Sequence, residues 1–386
     1  MFTSLRAPSG VSPGVASGSD ERVASGRPDV SCRGIRLPGL LSAPTPILEP
    51  EQAMARVGDR LPSLPRDKFH AFFSSDYGGI VKDPLYMTLP IDDRMVTLGH
   101  GAFDMCLMTE GYLYSFEEHL DRFEQSIGRA GLEAPFSRRS LQKTILHTAA
   151  ASTRLNGFVR FWVTGGRGTF GLSPKGGSGP SLYVLASDED DFRKVDITVG
   201  WKAKTTPVPP HEPYFLSTLS NSFLPGVLAT MDAEASKYEQ GIFVDSDGHV
   251  LNAGNASVGI VTHDGELVVP PNEDVLCGLT MEKILSLVPK LNEPKLSVKT
   301  IERRLFTVEE AKSALEVFVA GINIPVTGIT HWDGDPIADG TTGVNTLVFN
   351  AQIYKDAEYR PESPFHTEVP YGYMTGMEEE EPVFTY

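Results

Sequence analysis

Two basic side chains, His119 and Arg122, stand three residues apart in a stretch with helical character. Residues three or four positions apart share one face of a helix, so this pair could bind an anion such as a phosphate or a carboxylate. A simpler interpretation pairs Arg122 with Glu118, four residues before it, as a salt bridge within the helix. Taken alone, these residues favour the simpler interpretation.

A glycine-rich hexapeptide, GRGTFG at 166–171, matches the GxGxxG pattern of dinucleotide-binding loops. Those loops need a helix directly after them, because its N-terminus binds the phosphates. Here LSPKGGSGP follows, which favours a loop without a nucleotide. Three cysteines, Cys32, Cys106 and Cys277, form no CxxC pair and have no histidine-rich spacing. We therefore expect a reducing compartment, no disulfide framework and no zinc site.

The composition is that of a globular chain, and its 386 residues suffice for two domains or one large domain. The formal net charge is −16, which argues against nucleic acid as the main partner. No continuous apolar stretch reaches the roughly 18 to 20 residues of a membrane-spanning helix. We therefore expect no transmembrane segment.

The first 50 residues differ from the rest, with five arginines, no lysine and many serines, glycines and prolines. Such a segment cannot bury enough apolar surface to offset the entropy lost on ordering. We expect residues 1–60 to be an extension that is either disordered or an organellar transit peptide. Asp20, Glu21 and Asp29 count against the transit peptide, so both alternatives stay open.

Helix and strand signals surround the two basic residues and continue to the C-terminal region. Ser115 with Glu118, and Thr307 with Glu310, each match a capping box at a helix start. A charged break at 187–194 is followed by strands with Asp-Gly turns, mixed irregularly with helices. This mixture predicts an α+β fold rather than a doubly wound sheet.

The C-terminal stretch, 372–386, is acidic and carries aromatic residues near its end. One interpretation is a solvated tail. The other is a partner-binding tail, in which Glu378 to Glu381 steer toward a basic surface while Phe384 and Tyr386 anchor in a pocket.

A series of motifs resembles the class IV, fold-type IV aminotransferases, which include branched-chain and D-amino-acid aminotransferases and aminodeoxychorismate lyases. The likeness is greatest to the plant and protist D-amino-acid-aminotransferase-like branch and covers roughly residues 70–371. The motifs are SSDYGGIVKDPLYMTLPIDDRMVTLGHGAFDMCLMTEGYLYSFEEHLDRF, VRFWVTGGRGTFGLSPKG, KTTPVPPHEPYFLSTLSNSFLPGVL, DGHVLNAGNASVGIVT, LCGLTMEKIL and IPVTGITHWDGDPIADGTTGVNTL. The resemblance implies a small α/β domain at 61–186, a larger α+β domain at 187–371, and a homodimer in which both subunits shape each cleft.

Members of that family use pyridoxal phosphate. A lysine forms a Schiff base with this cofactor, and a glutamate keeps its ring nitrogen protonated. An arginine, a helix N-terminus and hydroxyl donors hold its phosphate. By resemblance, Arg122 is the phosphate arginine, Gly278, Leu279 and Thr280 form the phosphate-binding turn, and Asn323 stands in the later small-hydroxyl element.

Three chemical positions depart from the family pattern. The lysine precedes a Tyr/Phe-Leu-Pro element, so its position falls on Leu219. The glutamate position falls on Asn252, and the asparagine of the family's Asn-Val motif falls on Ser257. Leucine forms no Schiff base, and asparagine supplies no negative charge. Shifting the alignment with the family motif by one or two residues does not place a lysine at this position, because no lysine lies between Lys204 and Lys237.

The sequence therefore predicts a pseudo-aminotransferase with a vestigial cleft and no expected cofactor. We expect a homodimeric structural or interaction subunit of a larger assembly, for example a respiratory or ATP synthase complex. The N-terminus suggests mitochondria, and a plastid or the cytoplasm stays open. Two alternatives remain: a working pyridoxal-phosphate-dependent amino-acid aminotransferase or lyase, and a non-catalytic binder of a phosphorylated ligand through Arg122 and Thr280.

Overall fold

Two β-sheets and the helices packed on them form the described part of the chain. The computed structural model describes residues 46–60, 66–188, 196–273, 275, 278–322, 326–358 and 363–375. The strands are β1 (Phe69–Ser74), β2 (Gly79–Val81), β3 (Gly101–Thr109), β4 (Tyr112–Tyr114), β5 (Gly157–Thr164), β6 (Ser181–Ser187), β7 (Trp201–Thr205), β8 (Gln240–Val244), β9 (Val250–Ala253), β10 (Ser257–Val261), β11 (Glu266–Val269), β12 (Thr300–Arg303), β13 (Glu316–Ala320), β14 (Thr327–Trp332), β15 (Asp335–Pro336) and β16 (His366–Glu368). The α-helices are α1 (Pro50–Arg60), α2 (Arg94–Leu98), α3 (Phe116–Arg129), α4 (Arg138–Ala151), α5 (Pro213–Leu216), α6 (Leu224–Ala235), α7 (Leu279–Leu287), α8 (Val308–Lys312) and α9 (Val344–Ala357).

The first sheet is antiparallel, in the order β16-β4-β3-β5-β6-β1-β2. Helices α3 and α4 cover one face, where Phe123 and Ile145 are fully buried with Cys106 of β3. Successive strand residues point to opposite faces, so Phe103 and Met105 of β3 point away from these helices. That second face forms one wall of a cleft.

The second sheet closes on itself. Its order is β12-β11-β10-β13-β14-β7-β8-β9, and β9 also pairs with β10, so six strands from β10 round to β9 form a ring. The pair that closes this ring is Asn252 with Ser257. Val317 and Val319 of β13 pack in one core cluster, while Phe318 between them packs against α7 and α9. Ring closure therefore brings two of the predicted site residues side by side.

The predicted α+β fold is confirmed, but the chain path differs from the predicted domain order. Strand β16 pairs antiparallel with β4 of the first sheet. Val369, just after it, is buried in the core of that sheet. The segment 187–371, predicted to belong entirely to the larger domain, therefore returns to the smaller one near its end, because β4 offers an open edge for pairing.

The two predicted terminal segments lie mostly outside the described residues. Within the extension predicted for 1–60, Pro50–Arg60 form helix α1, for which proline at the first turn and Glu51 near it are favourable. Residues 1–45 and 376–386 are outside the described ranges, as are Cys32 and Cys277. Among the described residues, no helix combines the length and the hydropathy needed to cross a membrane.

One of the two predicted helix caps is confirmed. The Thr307 side chain accepts a hydrogen bond from the Glu310 backbone N–H, at 3.2 Å. The prediction for Ser115 is wrong: this residue has left-handed backbone angles (φ 55°, ψ 34°) and its side chain caps nothing. Its N–H donates instead to the Phe365 carbonyl at 2.6 Å, because the chain entering β16 passes beside it.

Helix α9, which supports α7, is fixed to the second sheet by a buried carboxylate. Glu316 of β13 accepts hydrogen bonds from the backbone N–H groups of Asn345 (2.9 Å) and Thr346 (2.8 Å) and from both their side chains. Replacing Glu316 by Gln turns one acceptor into a donor that faces other donors. We expect a loss of about 3 kcal/mol in the free energy of unfolding, measured in urea.

The matched control is Glu302→Gln, a change of the same kind at an exposed position of β12. It should stay within about 0.5 kcal/mol of the wild type. Equal effects of the two substitutions would contradict the role given to Glu316.

Candidate functional site

A cleft of about 460 Å³ lies between the first sheet and the rim of the second. Its walls come from β3 and β5, from the segment joining α5 to α6, from β9 and β10, and from the start of α7. The cleft-lining residues include six predicted site positions and three further basic side chains: Arg122, Leu219, Asn252, Ser257, Gly278 and Leu279, with His119, Arg160 and His211. Residues predicted from separate motifs thus meet in one place.

Leu219 is held by its backbone against the beginning of β3. The Phe103 N–H donates to the Leu219 carbonyl at 3.0 Å, and the Leu219 N–H donates to Ser126 Oγ at 3.2 Å. Ala102 and Ser220 form an adjacent β-bridge. These contacts on both sides fix the backbone of this segment at the cleft, where Leu219 is a lining residue together with Thr218 and Ser220.

Asn252 lies opposite Ser257 at the closing pair of the ring. The Oδ1 atom of Asn252 is buried and has no hydrogen-bond partner. A buried acceptor without a partner is costly, so a hydrogen-bond donor in the cleft would stabilise this amide. An amide can accept or donate a hydrogen bond there, but it cannot neutralise a protonated ring nitrogen.

The start of α7 lies at one end of the cleft. Gly278 precedes the helix, no side chain caps it, and the Gly278 N–H donates to Ser257 Oγ at 2.8 Å. Helix N-termini attract anions through uncapped N–H groups and the helix dipole. Thr280 lines a separate cavity of about 40 Å³ beside the cleft, and Asn323 lies outside the described residues. For these two residues, a cofactor-binding role stays a prediction.

Arg122 does not pair with Glu118, so the simpler interpretation of this residue is wrong. Its Nε and Nη2 donate to the two carboxylate oxygens of Asp104, at 2.9 and 2.7 Å. Asp104 is fully buried on β3, and the Arg122 side chain is only 11% exposed. Glu118 Oε1 instead lies 3.9 Å from the Lys283 amine. The buried acid outcompetes the helical neighbour because its pairing is bidentate and shielded from water.

His119 completes this buried network. Its Nδ1 lies 2.9 Å from Asp104 Oδ1. Burial alone would raise the pKa of Asp104, but the charge of Arg122 and the hydrogen bonds from Arg122 and His119 outweigh it and hold the pKa below its ordinary value. Burial lowers the pKa of His119, so its ring is neutral near pH 7. The Nη1 atom of Arg122 makes no hydrogen bond to a described residue, and Arg122 is among the residues that line the cleft.

The cleft is basic although the whole chain is strongly acidic. Its described lining contains two arginines and two histidines but no aspartate, glutamate or lysine, against a net charge of −16 for the chain. An anionic ligand would therefore meet no acidic side chain in the described lining of the cleft. Sequence reasoning missed Arg160, His211 and Asp104. A lone acid inside the apolar strand GAFDMCLM was a usable signal for Asp104, because buried acids need partners.

The remaining predicted features have structural roles. The glycine-rich stretch 166–171 lies in a loop with no described helix after it before β6. Arg94 holds this loop by donating hydrogen bonds to the carbonyls of Gly171, Leu172 and Ser173, at 2.8–3.2 Å. Cys106 is a buried free thiol in the first sheet.

Pyridoxal phosphate fits one end of this cleft and not the other. Arg122, Ser257 and the N-terminus of α7 suit a phosphate. At the reactive end, Leu219 has no amine, Asn252 has no charge, and no lysine is among the described residues that line the cleft. The donor set therefore suits an anion but lacks the groups for covalent chemistry with this cofactor.

Comparisons with known proteins agree with the geometry. The family model for class IV amino-transferases matches residues 101–332. A chloroplastic D-amino-acid transaminase of Arabidopsis thaliana is 36% identical over 290 residues, covering 74% of this chain and 76% of that protein. A D-alanine aminotransferase of Listeria monocytogenes is 24% identical over 273 residues, covering 66% and 86%. The fold of the branched-chain amino acid aminotransferase of Escherichia coli matches with a TM-score of 0.71 at 17% identity, covering 78% of this chain and 100% of that one. This chain therefore belongs to the class IV aminotransferase family.

Proposed function

We propose that this chain is a pseudo-aminotransferase that acts as a structural or interaction subunit of a larger assembly. The observation that carries the proposal is Leu219, a side chain without an amine at the position where the family pattern has its lysine. Asn252 supports it, since it removes the charge expected beside the ring nitrogen. Two separate chemical positions thus depart from the family pattern, and both lie in the lining of the same cleft.

A subunit role requires surfaces for other chains, and α6 offers one. Leu224, Val227 and Leu228 are 65%, 51% and 37% exposed on this helix. Their spacing of three and four residues places them in one stripe, and Phe215 beside the cleft mouth is 60% exposed. A continuous apolar surface of this kind is typical of an interface. We propose that it contributes to a homodimer, and that the assembly resides in an organelle, a mitochondrion or a plastid.

A second candidate is a non-catalytic binder of a phosphorylated ligand. It is favoured by the uncapped start of α7, by Arg122 in the cleft lining and by the absence of acids from the described cleft lining. This candidate is compatible with a subunit role, because a bound ligand stabilises the folded state that carries it.

One titration separates these functions from a working aminotransferase. Purified protein is incubated with pyridoxal phosphate, treated with borohydride and digested for mass spectrometry. We expect no stoichiometric fixation on a cleft residue, because Leu219 has no amine. Equilibrium dialysis before reduction measures reversible binding, and pyridoxal without phosphate is the matched control ligand.

The outcomes differ for each function. Reversible binding that depends on the phosphate supports the ligand-binding candidate. If no such binding is found, the ligand-binding candidate is rejected and the subunit role is retained. A one-to-one adduct on a single cleft lysine would overturn the pseudoenzyme proposal. Native purification followed by identification of co-purifying chains tests the assembly itself; a purely homomeric protein would contradict it.

A further inference from the structure

A second cavity, of about 320 Å³, lies on the smaller domain between the β1–β2 hairpin and helix α4. It is separate from the cleft, with which it shares no lining residue. Its walls combine apolar and basic groups, and they are Phe73, Gly78, Gly79, Ile80, Lys82, Thr144, His147, Ala151 and Tyr373. Nothing in the pseudo-aminotransferase proposal uses this cavity.

The chain returns to this cavity after β16. The Tyr371 hydroxyl donates to the Arg154 carbonyl, which ties the 371–375 turn to the end of α4. The Tyr373 ring stacks on the His147 ring, with 3.7 Å between centroids and 14° between planes. Tyr373 is thus both a wall of the cavity and the anchor from which residues 376–386 continue.

The face of α4 beside the cavity is basic. Arg139, Lys143 and His147 are four residues apart and share one face of the helix. Lys82 extends this basic surface across the cavity. Neighbouring Arg138 is already engaged by acids of α3. Arg139 is exposed and forms no ion pair with any residue in the described ranges. A basic surface of this kind, on a chain of net charge −16, suits an acidic occupant.

We propose that the acidic segment 376–386 of the same chain docks on this surface. Glu378 to Glu381 lie along the α4 stripe, and an aromatic side chain, Phe384 or Tyr386, enters the cavity. The reach is sufficient: six residues from Thr375 to Glu381 span up to roughly 20 Å, whereas the stripe from His147 to Arg139 is roughly 12 Å long.

The tether favours this occupant over an acidic segment of another protein. A short flexible connection gives an effective concentration on the order of millimolar at the docking surface. The segment starts beside the cavity, so it needs no second encounter. The contact resembles the binding of linear peptides, in which charges guide the approach and aromatic anchors provide most of the energy.

Zero-length carbodiimide cross-linking of the full-length protein tests the proposal, because it joins only carboxylates and amines already in contact. Mass spectrometry should find 376–386 joined to Lys82 or Lys143. Lys143→Arg should abolish the second link and keep the first. Arg139→Glu should lower the yield roughly two- to fivefold, the range for one exposed ion pair, and the double variant Phe384→Ala/Tyr386→Ala should lower it as well.

The matched control is Lys290→Glu, the same kind of charge reversal at an exposed position of the larger domain; it should leave the yield unchanged. A mixture of ¹⁴N and ¹⁵N protein distinguishes links within one chain from links between copies. Links mostly between copies would overturn the proposal, as would coupling of 376–386 to Lys290 and Lys295 as often as to Lys82 and Lys143. A cross-linking yield that Arg139→Glu leaves unchanged would also overturn the proposal.

Discussion

Arg122→Ala should cost about 3 to 5 kcal/mol in the free energy of unfolding, because it leaves the charge of Asp104 buried without its partner. Asp104 is fully buried and Arg122 closes over it with two hydrogen bonds. In the wild type the His119 ring is neutral near pH 7, so Arg122 supplies the positive charge that pairs with Asp104. Urea denaturation at pH 7 measures the effect.

The double variant Arg122→Ala/Asp104→Asn is the matched control, since it removes the stranded charge as well. We expect it to be more stable than Arg122→Ala alone, which is the sign of coupling between paired residues. Additive losses in the double variant would mean that Arg122 acts through packing rather than through its pairing with Asp104.

The pH dependence has a defined sign. In the wild type, the pKa of Asp104 lies below its ordinary value, so its contribution is present above about pH 4 and is lost as pH falls further. Burial lowers the pKa of His119, so stability also declines below about pH 6.5, where the unfolded chain takes up that proton. In Arg122→Ala the buried acid gains protons more readily, and the deficit relative to wild type should shrink on acidification.

Leu219→Lys is expected to be insufficient for transamination, whereas Leu219→Lys with Asn252→Glu should gain a borohydride-fixed pyridoxal phosphate adduct at residue 219. The backbone contacts of this segment with Phe103 and Ser126 would direct a lysine amine into the cleft. The single variant still lacks the negative charge beside the ring nitrogen. Mass spectrometry of the reduced digest and an amino-acid turnover assay supply independent readouts.

Leu219→Met is the matched control for these variants, because methionine has a similar volume and no amine. It should show neither adduct nor turnover. Turnover by the single lysine variant at the level of the double variant would mean that Asn252 can serve at the ring-nitrogen position. An adduct at another residue in both variants would mean that the segment is displaced when the side chain changes.

Local signals were enough for some elements and failed for others. Thr307 and its partner Glu310 are three residues apart, so their cap could be predicted from the sequence. Ser115 has the same pattern, but its backbone angles are set by the chain near Phe365, 250 residues later. At this position the contact with Phe365 outweighs the local preference of serine for a helix cap. A contact between residues so far apart in the sequence cannot be predicted from a local pattern.

The candidate site shows the same division. Family motifs located Leu219, Asn252 and Ser257, and the closing pair of the ring explains why the last two are adjacent. The partner of Arg122 could not be predicted from helix spacing, because Asp104 belongs to a strand and meets the helix only when α3 packs on the first sheet. The pairing of Arg122 with a residue distant in the sequence therefore also determines the pKa of Asp104.

Strand β16 also has a consequence for biosynthesis. The first sheet needs residues 366–368 beside β4, and Val369 in its core. On the ribosome these residues follow β6 by the whole second sheet, a delay of roughly 10 to 40 s at ordinary rates of translation. During that time the β4 edge of the nascent chain is unpaired and open to chaperones or to wrong strand partners. The first sheet is therefore completed only after its last strand, β16, has been synthesised.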